Sequence, residues 1–366
     1  MNNVFNKDNT EWKQGKYSLF LGQQPGLYDS INVTHPKIFE LYKQQKSADW
    51  SEDEIDLDQS RMDMLSCPAE IREVMVENLA LQWEADSIAS RSIAPAFAPF
   101  VTNSEYWAAL LKVSEIEVLH ALTYSEIVRI CIANPNDIFE KITQSDAITG
   151  RMEHVTTAFS GLARHGAMYS LGQLTDEQAY PVVMEAVVAL FCLERLQFMV
   201  SFAATFAVVE GGWFQGIGTL VQKIMQDERY IHAELGKYVL QVELSTERGK
   251  AWFIANSDKV KAIIDNVVQA EYAWNKHLFS EGRKVPGQFT EQLGYDWVDF
   301  NAQDVYDVFG LEPARRIVKT PLKYMDNWLD LNKTQNANQE ADQANYRLNI
   351  IVNDYADEII EWSYER

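Results

Sequence analysis

The sequence has little cysteine and little positive charge. Its 366 residues include three cysteines, Cys67, Cys131 and Cys192, which are far apart and form no Cys-x-x-Cys motif. We therefore expect buried thiols in a reducing, cytoplasmic compartment. Lysine and arginine number 32 against 53 aspartates and glutamates, which gives a formal net charge of −21. This acidity argues against nucleic-acid polymers and anionic membranes as partners.

Several other signals are missing. The opening MNNVFNKDNTEW has no basic stretch followed by an apolar one, so we expect no signal peptide. There is no Gly-rich phosphate loop, no repeat of solenoid period, and few stretches that alternate as strands do. The most apolar run lies within 180–214, and Glu194 and Arg195 are among the charges that interrupt it. We predict a helix buried inside the protein, with no membrane as partner.

One long predicted helix, at about 105–132, organises the rest of the chain. Within it, Glu117, His120 and Tyr124 are spaced by three and then four residues, so they share one face. Apolar residues, including Val113 and Ile127, continue the same stripe, which places an acid, an imidazole and a phenol in the core. Because a buried carboxylate without a partner costs several kcal/mol, this stripe predicts a compensating metal ion.

Three further predicted helices supply matching acids. The segment DERYIH places Glu228 and His232 four residues apart, again on one face. Glu194 lies on an apolar helical stripe, and Asp86 lies in LQWEADSIASRS on the helix that precedes the organising one. One acid from each of two helices, and an acid with a histidine from each of two others, is the ligand pattern of dinuclear carboxylate bundles.

The charges of this set fit two divalent cations. The predicted ligands are Asp86, Glu117, His120, Glu194, Glu228 and His232. Four carboxylates carry four negative charges, which two divalent cations would neutralise, and mixed oxygen and imidazole ligands suit iron or manganese. Glu84, two residues before Asp86, and Glu115 are alternative acids that do not share the predicted faces.

These patterns predict an all-α fold with three parts. Residues 1–65 form an N-terminal extension that packs on the bundle, and residues 66–330 form a dinuclear carboxylate helical bundle with additional helices. Residues 331–366 form a flexible C-terminal tail, because NKTQNANQEADQAN has almost nothing to bury. The apolar and aromatic end, IIVNDYADEIIEWSYER, is expected either to dock on another protein or to pack on its own domain.

The chain resembles the small, radical-generating subunit of class I ribonucleotide reductase. The resemblance runs from LFLGQQPGLYD into the tail, and its most specific parts are ADSIASRS, SEIEVLHALTY, LERLQFMVSF and QDER. It implies a di-iron centre, with manganese in one or both sites as an alternative, that reacts with O2 and oxidises Tyr124 to a stable radical. It also implies that residues 66–330 form a ferritin-like di-iron carboxylate helical bundle and that the protein is a homodimer. A separate large subunit would receive the radical through the tail and reduce ribonucleotides to deoxyribonucleotides.

The resemblance assigns roles to residues beyond the metal ligands. Phe198, Phe202 and Ile224 would form a dry cage around the Tyr124 radical. Trp50 and Asp227, with His120, would relay the radical outward. In the tail, NQEADQANY matches the family's interface segment and assigns radical transfer to Glu340 and Tyr346, with Tyr355 and Tyr364 as competing tyrosines.

One spacing departs from the family. The usual separation between the last Glu and its His is three residues, whereas Glu228 and His232 are four apart. A π-bulge would restore the usual geometry. Two other functions are alternatives: a stand-alone ferritin-like di-iron oxidase that acts on a small organic substrate, and an iron-storage protein.

Overall fold

The computed structural model describes residues 6–15, 17–23 and 27–331. The α-helices of these ranges follow one another along the chain. They are α1 (Pro36–Ser47), α2 (Asp58–Ser66), α3 (Ala69–Phe97), α4 (Ser104–Cys131), α5 (Asn136–Gln144), α6 (Asp146–Thr149), α7 (Glu153–Ser170), α8 (Asp176–Cys192), α9 (Met199–Glu210), α10 (Gln215–Asp227), α11 (Ala233–Ser245), α12 (Glu247–Leu278), α13 (Glu291–Val308) and α14 (Met325–Trp328). Within these ranges no β-strand forms, which confirms the predicted all-α class.

Two of these helices, α8 and α10, continue into π-helical turns. Leu193–Gln197 follows α8 and leads to α9, and Glu228–His232 joins α10 to α11. A π-turn places one extra residue in a helical turn, so the side chains on either side of it are re-phased. The first turn includes the predicted metal ligand Glu194, and the second includes Glu228 and His232.

Local sequence signals set several helix ends. The Thr175 hydroxyl accepts from the backbone N–H of Gln178, and the Gln178 side chain accepts from the Thr175 N–H, so the two residues form a capping box at the start of α8. The Asn103 side chain caps α4 by accepting from the Tyr106 N–H at 2.8 Å.

Pro95 does not end the helix in which it lies, although the sequence alone predicts a helix end near Ile93, before the proline. Helix α3 continues through Pro95 to Phe97. The proline is exposed on the solvent side of the helix. The preceding N–H, of Ala94, is bonded to the Ser114 hydroxyl on α4 at 3.0 Å. Packing against α4 therefore holds the helix past a residue that weakens it locally.

The stretch Asp176–Glu210 is long and apolar enough to cross a membrane by composition, and its most apolar window is fully buried inside the protein. This burial is that of a core helix, as the sequence predicts. The three cysteines, Cys67, Cys131 and Cys192, are also buried, as thiols.

Buried ion pairs tie distant segments to this core. Glu77 on α3 contacts Lys141 at 2.7 Å, His277 at 3.0 Å and Arg283 at 3.6 Å. Burial alone would raise the pKa of the Glu77 carboxyl, but hydrogen bonds from His277 and Lys141, and their charges, lower it to about 2. The carboxylate thus joins α3 to α5 and to the end of α12.

Candidate dinuclear metal centre

Helices α3 and α4 bring the first ligands together. Asp86, Glu117 and His120 are each fully buried. The Nδ1 atom of His120 lies 3.9 Å from a carboxylate oxygen of Asp86 and 3.8 Å from one of Glu117. The other ring nitrogen, Nε2, lies 3.2 Å from Asp227, so Nδ1 is the atom that faces the acids.

Glu194 enters the site from the first π-turn. Its side chain is buried, and both of its carboxylate oxygens lack a hydrogen-bond partner. The π-turn ends at Gln197, whose backbone carbonyl accepts a hydrogen bond from the buried Arg151 guanidinium. Arg151 is also paired with Glu271. A cation from another part of the chain thus satisfies a carbonyl at the end of the distorted turn.

The second π-turn accommodates the four-residue spacing between Glu228 and His232. His232 is buried, and its Nδ1 lies 3.0 Å from Oε1 of Glu117 and 3.0 Å from Oε2 of Glu228. The extra residue therefore does not turn the imidazole away from the acids. The structure brings together all six predicted ligand side chains.

The six side chains form two overlapping groups, each of which could hold one metal ion. In each group the potential ligand atoms lie within 4.8 Å of one another. The groups share two acids. They are Asp86, Glu117, His120 and Glu228, and Glu117, Glu194, Glu228 and His232. Glu84 and Glu115, the alternative acids, belong to neither group.

The buried negative charge of these two ligand groups favours the binding of cations. Burial, together with the charges of neighbouring carboxylates, raises the pKa of both Asp86 and Glu194 well above the ordinary range. Both oxygens of Asp86 and of Glu194 lie buried without a hydrogen-bond partner. A raised pKa means that protons compete with cations for these carboxylates, and divalent cations would satisfy the orphaned oxygens. The donor set therefore fits a dinuclear iron or manganese centre.

Tyr124 lies one helical turn beyond His120 and is fully buried. Its hydroxyl has no hydrogen-bond partner among the described residues. Burial, reinforced by the charges of Asp86, Glu228 and Glu117, raises the pKa of its phenol well above 10. The phenol therefore keeps its proton at neutral pH. Phe198, Phe202 and Ile224, the predicted cage residues, are also buried, and the two Phe rings stack with centroids 5.6 Å apart.

A hydrogen-bonded chain leads from His120 to the surface. One oxygen of Asp227 accepts from Trp50 Nε1 at 2.8 Å and lies 3.2 Å from His120 Nε2. The Trp50 and His120 rings also stack, with centroids 5.9 Å apart. Trp50 lines an open cavity of about 380 Å³ whose wall includes Lys223 and Tyr230.

Gln45 is a site residue that the sequence reasoning missed. Its side-chain amide donates to the second oxygen of Asp227 at 2.8 Å, and the residue is buried. The available signal was its position on the buried stripe of α1, after Ile38 and Leu41 at helical spacing. A polar residue at a core-facing position of a helix predicts a polar partner inside the protein.

The predicted tail residues Glu340 and Tyr346, with the competing Tyr355 and Tyr364, lie outside the described residues.

The comparisons with known proteins agree with this geometry. The family described as "Ribonucleotide reductase, small chain" matches residues 28–315. The chain belongs to this family. The match covers every helix that contributes to the metal site, and it confirms the resemblance that the four motifs indicate.

Related proteins align over nearly the whole length. The ribonucleoside-diphosphate reductase subunit beta of Buchnera aphidicola subsp. Schizaphis graminum is 25% identical over 91% of this chain and 92% of its own. The ribonucleotide reductase R2 subunit from Clostridium botulinum superposes with a TM-score of 0.70 at 16% identity, over 86% of this chain and 94% of its own. An R2-like ligand-binding oxidase, solved with a Mn/Fe cofactor, superposes with a TM-score of 0.60 at 16% identity, over 78% of this chain and 97% of its own. The fold is thus shared by a reductase subunit and by an oxidase.

Proposed function

We propose that this chain is the radical-generating small subunit of a ribonucleoside-diphosphate reductase, and that its radical resides on Tyr124. The observation that carries the proposal is the position of Tyr124. It follows the ligand His120 on the same helix face, is sealed from solvent, and has no hydrogen bond to hold its phenolic proton. A side chain of this kind can lose an electron and a proton together and then be protected from quenching.

Two iron ions would be held by Asp86, Glu117, His120, Glu194, Glu228 and His232, with manganese as an alternative in one or both positions. When bound, the metal pair supplies the O2-dependent oxidising power that converts Tyr124 to its radical. Phe198, Phe202 and Ile224 are buried, and as the proposed cage around Tyr124 they would exclude water because their side chains are entirely hydrocarbon. Asp227 orients His120 by holding its Nε2, which directs Nδ1 toward the acids.

The chain from His120 through Asp227 to Trp50 is the proposed path outward. Three contacts support it: the two hydrogen bonds on Asp227 and the stacking of the Trp50 ring on His120. Beyond Trp50, Glu340 and Tyr346 of the tail would carry the radical into a large subunit that docks through the tail. Two copies of the small subunit would form a homodimer, and the assembly would work in the cytoplasm.

The test is reconstitution of the purified protein with ferrous iron and air. We expect close to two iron ions per chain, as two ligand groups require, and the electron paramagnetic resonance signal of a tyrosyl radical. Tyr124→Phe should keep the iron and lose the signal. If the variant shows the same radical spectrum, the radical lies elsewhere.

A stand-alone oxidase is the second candidate, because the R2-like oxidase shares the fold. Turnover separates the two functions. A reductase subunit makes deoxyribonucleotides only when its large subunit is present. An oxidase needs no large subunit and instead consumes O2 with an organic substrate.

A further inference from the structure

Arg195 and Arg229 occupy corresponding places in the two π-turns. Each directly follows a ligand glutamate, Glu194 in the first turn and Glu228 in the second. The two π-turns pack against each other, and both glutamates belong to the second ligand group. Consecutive side chains of a helix point about 100° apart, so each arginine is directed out of the metal site by the turn that directs its glutamate into it.

Both arginines meet α13 at one residue, Asn301. The Arg195 guanidinium donates to Asn301 Oδ1 at 2.8 Å, and Nη1 of Arg229 donates to the same oxygen at 3.4 Å. Asn301 is fully buried, and its Nδ2 donates to the Trp297 carbonyl at 2.8 Å, which fixes the orientation of the amide. A single side-chain oxygen of α13 therefore links the two π-turns.

Arg195 has a second partner on the same face of α13. Its Nε and Nη2 atoms donate to Oδ2 of Asp304 at 3.1 Å and 2.5 Å. Asp304 lies three residues after Asn301, so the two acceptors share one face. One turn earlier on this face, Trp297 Nε1 donates to the carbonyl of Met199, at the start of α9. Helix α13 therefore contacts both the first π-turn and the helix that follows it.

These contacts bear on the position of Glu194. A π-turn is rare in proteins, so a helix that keeps one needs contacts that stabilise it. Arg195 is 5% exposed, and because a buried guanidinium without acceptors is costly, its three bonds to α13 favour one position of this side chain. The Glu194 carboxylate has no hydrogen-bond partner among the described residues. Its place therefore depends on the backbone that Arg195 holds.

We propose that Asn301 and Asp304 are positioning residues for the second metal position. By holding Arg195, and through it the first π-turn, they place Glu194 among the other ligands of the second group. Glu194 belongs to that group alone, whereas the first group takes its ligands from α3, α4 and the second π-turn. The inference rests on the proposed dinuclear centre and adds to it a support that acts mainly on one of its two positions.

Titration of the metal-free, full-length protein with Mn²⁺ tests the proposal. Isothermal titration calorimetry gives the affinity of each binding step, and electron paramagnetic resonance distinguishes an isolated ion from a coupled pair. Asn301→Leu removes the acceptor that the two arginines share. We expect it to weaken the second binding step at least about tenfold, as is usual for a group that orients a ligand, and to change the first step less than about threefold.

Three further variants separate positioning from general destabilisation. Asn301→Asp keeps the accepting oxygen and should bind the second ion within about threefold of the unmodified protein. Asp304→Leu removes the other acceptor of Arg195 at a half-buried position, and it should weaken the same step as Asn301→Leu. Asp307→Leu is the matched control on α13, because the Asp307 side chain is 53% exposed and pairs with Arg316 at the surface, and both steps should stay unchanged.

Circular dichroism of the metal-free variants shows whether each is folded at the temperature of the titration, and if Asn301→Leu is not, Asp304→Leu decides. The expected result is loss of the coupled-pair signal in the Leu variants at 301 and 304 and its return in Asn301→Asp. Equal weakening of both steps would overturn the proposal, and so would an unchanged second step in both of these Leu variants. An unmodified protein that binds only one ion would overturn the dinuclear centre itself, and this inference with it.

Discussion

Asp227 is expected to stabilise the metal-free protein mainly as a hydrogen-bond acceptor, so Asp227→Ala and Asp227→Asn should differ widely. The carboxylate is 4% exposed and receives Trp50 Nε1 and Gln45 Nε2, each at 2.8 Å, and contacts His120 Nε2 at 3.2 Å. Alanine leaves these three donors without an acceptor inside the protein. At about 1–3 kcal/mol for each unsatisfied buried group, and with water entering from the neighbouring cavity, we expect a loss of about 3–6 kcal/mol.

Asparagine should cost much less. Its oxygen can accept from Trp50 and His120, but its amide then faces the amide of Gln45. The Oε1 atom of Gln45 is buried and has no partner, so rotation of that side-chain amide supplies an acceptor. The remaining cost is the difference between charged and neutral hydrogen bonds, about 1–2 kcal/mol.

Urea unfolding of the metal-free protein at pH 7, followed by circular dichroism, measures both values. Asp49→Ala is the control: the Asp49 side chain is 55% exposed, and its partner Lys112 keeps a second ion pair with Glu115, so the cost should be below about 1 kcal/mol. Gln45→Met should destabilise the Asp227→Asn protein further, because it removes the acceptor that asparagine needs. Equal stabilities of the Ala and Asn variants would show that the three donors do not depend on this residue.

Three further outcomes are expected. Glu77→Gln should lower the free energy of unfolding by about 3 kcal/mol at pH 7, because the pKa of Glu77 is about 2 in the folded protein and 4.5 in an unfolded chain. This lowered pKa stabilises the protein fully above pH 4.5, and the stabilisation is lost as the pH falls toward 2. A stability difference that does not change with pH in urea titrations would contradict this. His232→Ala should bind fewer iron ions than the unmodified protein in metal analysis, and full iron content would remove His232 from the ligand set. Tyr346→Phe should keep a normal Tyr124 radical and large-subunit affinity and make almost no deoxyribonucleotide, whereas Tyr355→Phe stays active; near-normal turnover of Tyr346→Phe would exclude it from the pathway.

The ligand-bearing faces could be predicted because each depends on local spacing alone. Glu117, His120 and Tyr124 follow the helical repeat, and a helix places such residues on one face whatever surrounds it. Acids on the buried faces of four helices are explained together by a shared metal site. The structure accordingly gathers six side chains from helices that are far apart in the sequence.

Features that depend on tertiary partners could not be read from local patterns. Helix α3 continues through Pro95 because α4 packs beside it, and local propensity contains no information about α4. The first π-turn is accompanied by a contact from Arg151, a residue 46 positions before the carbonyl that it satisfies. Gln45 meets Asp227 across 182 residues of sequence. In each case the deciding contact is long-range.

The π-turn between Glu228 and His232 lets α10 and α11, which form one continuous rod, be rotated independently about their common axis. Before the turn, the rotation of α10 is fixed by the buried side chains that precede Glu228. After the turn, the rotation of α11 is fixed by its packing against α8 and α12. An uninterrupted α-helix with one added residue would rotate everything after the addition by about 100°. Here the wider π-turn accommodates the added residue, so the side chains of α11 keep their orientation. A buried helix of this fold can therefore gain a residue beside its metal without repacking the hydrophobic core beyond it, and a motif search that demands one fixed spacing would overlook chains that have done so.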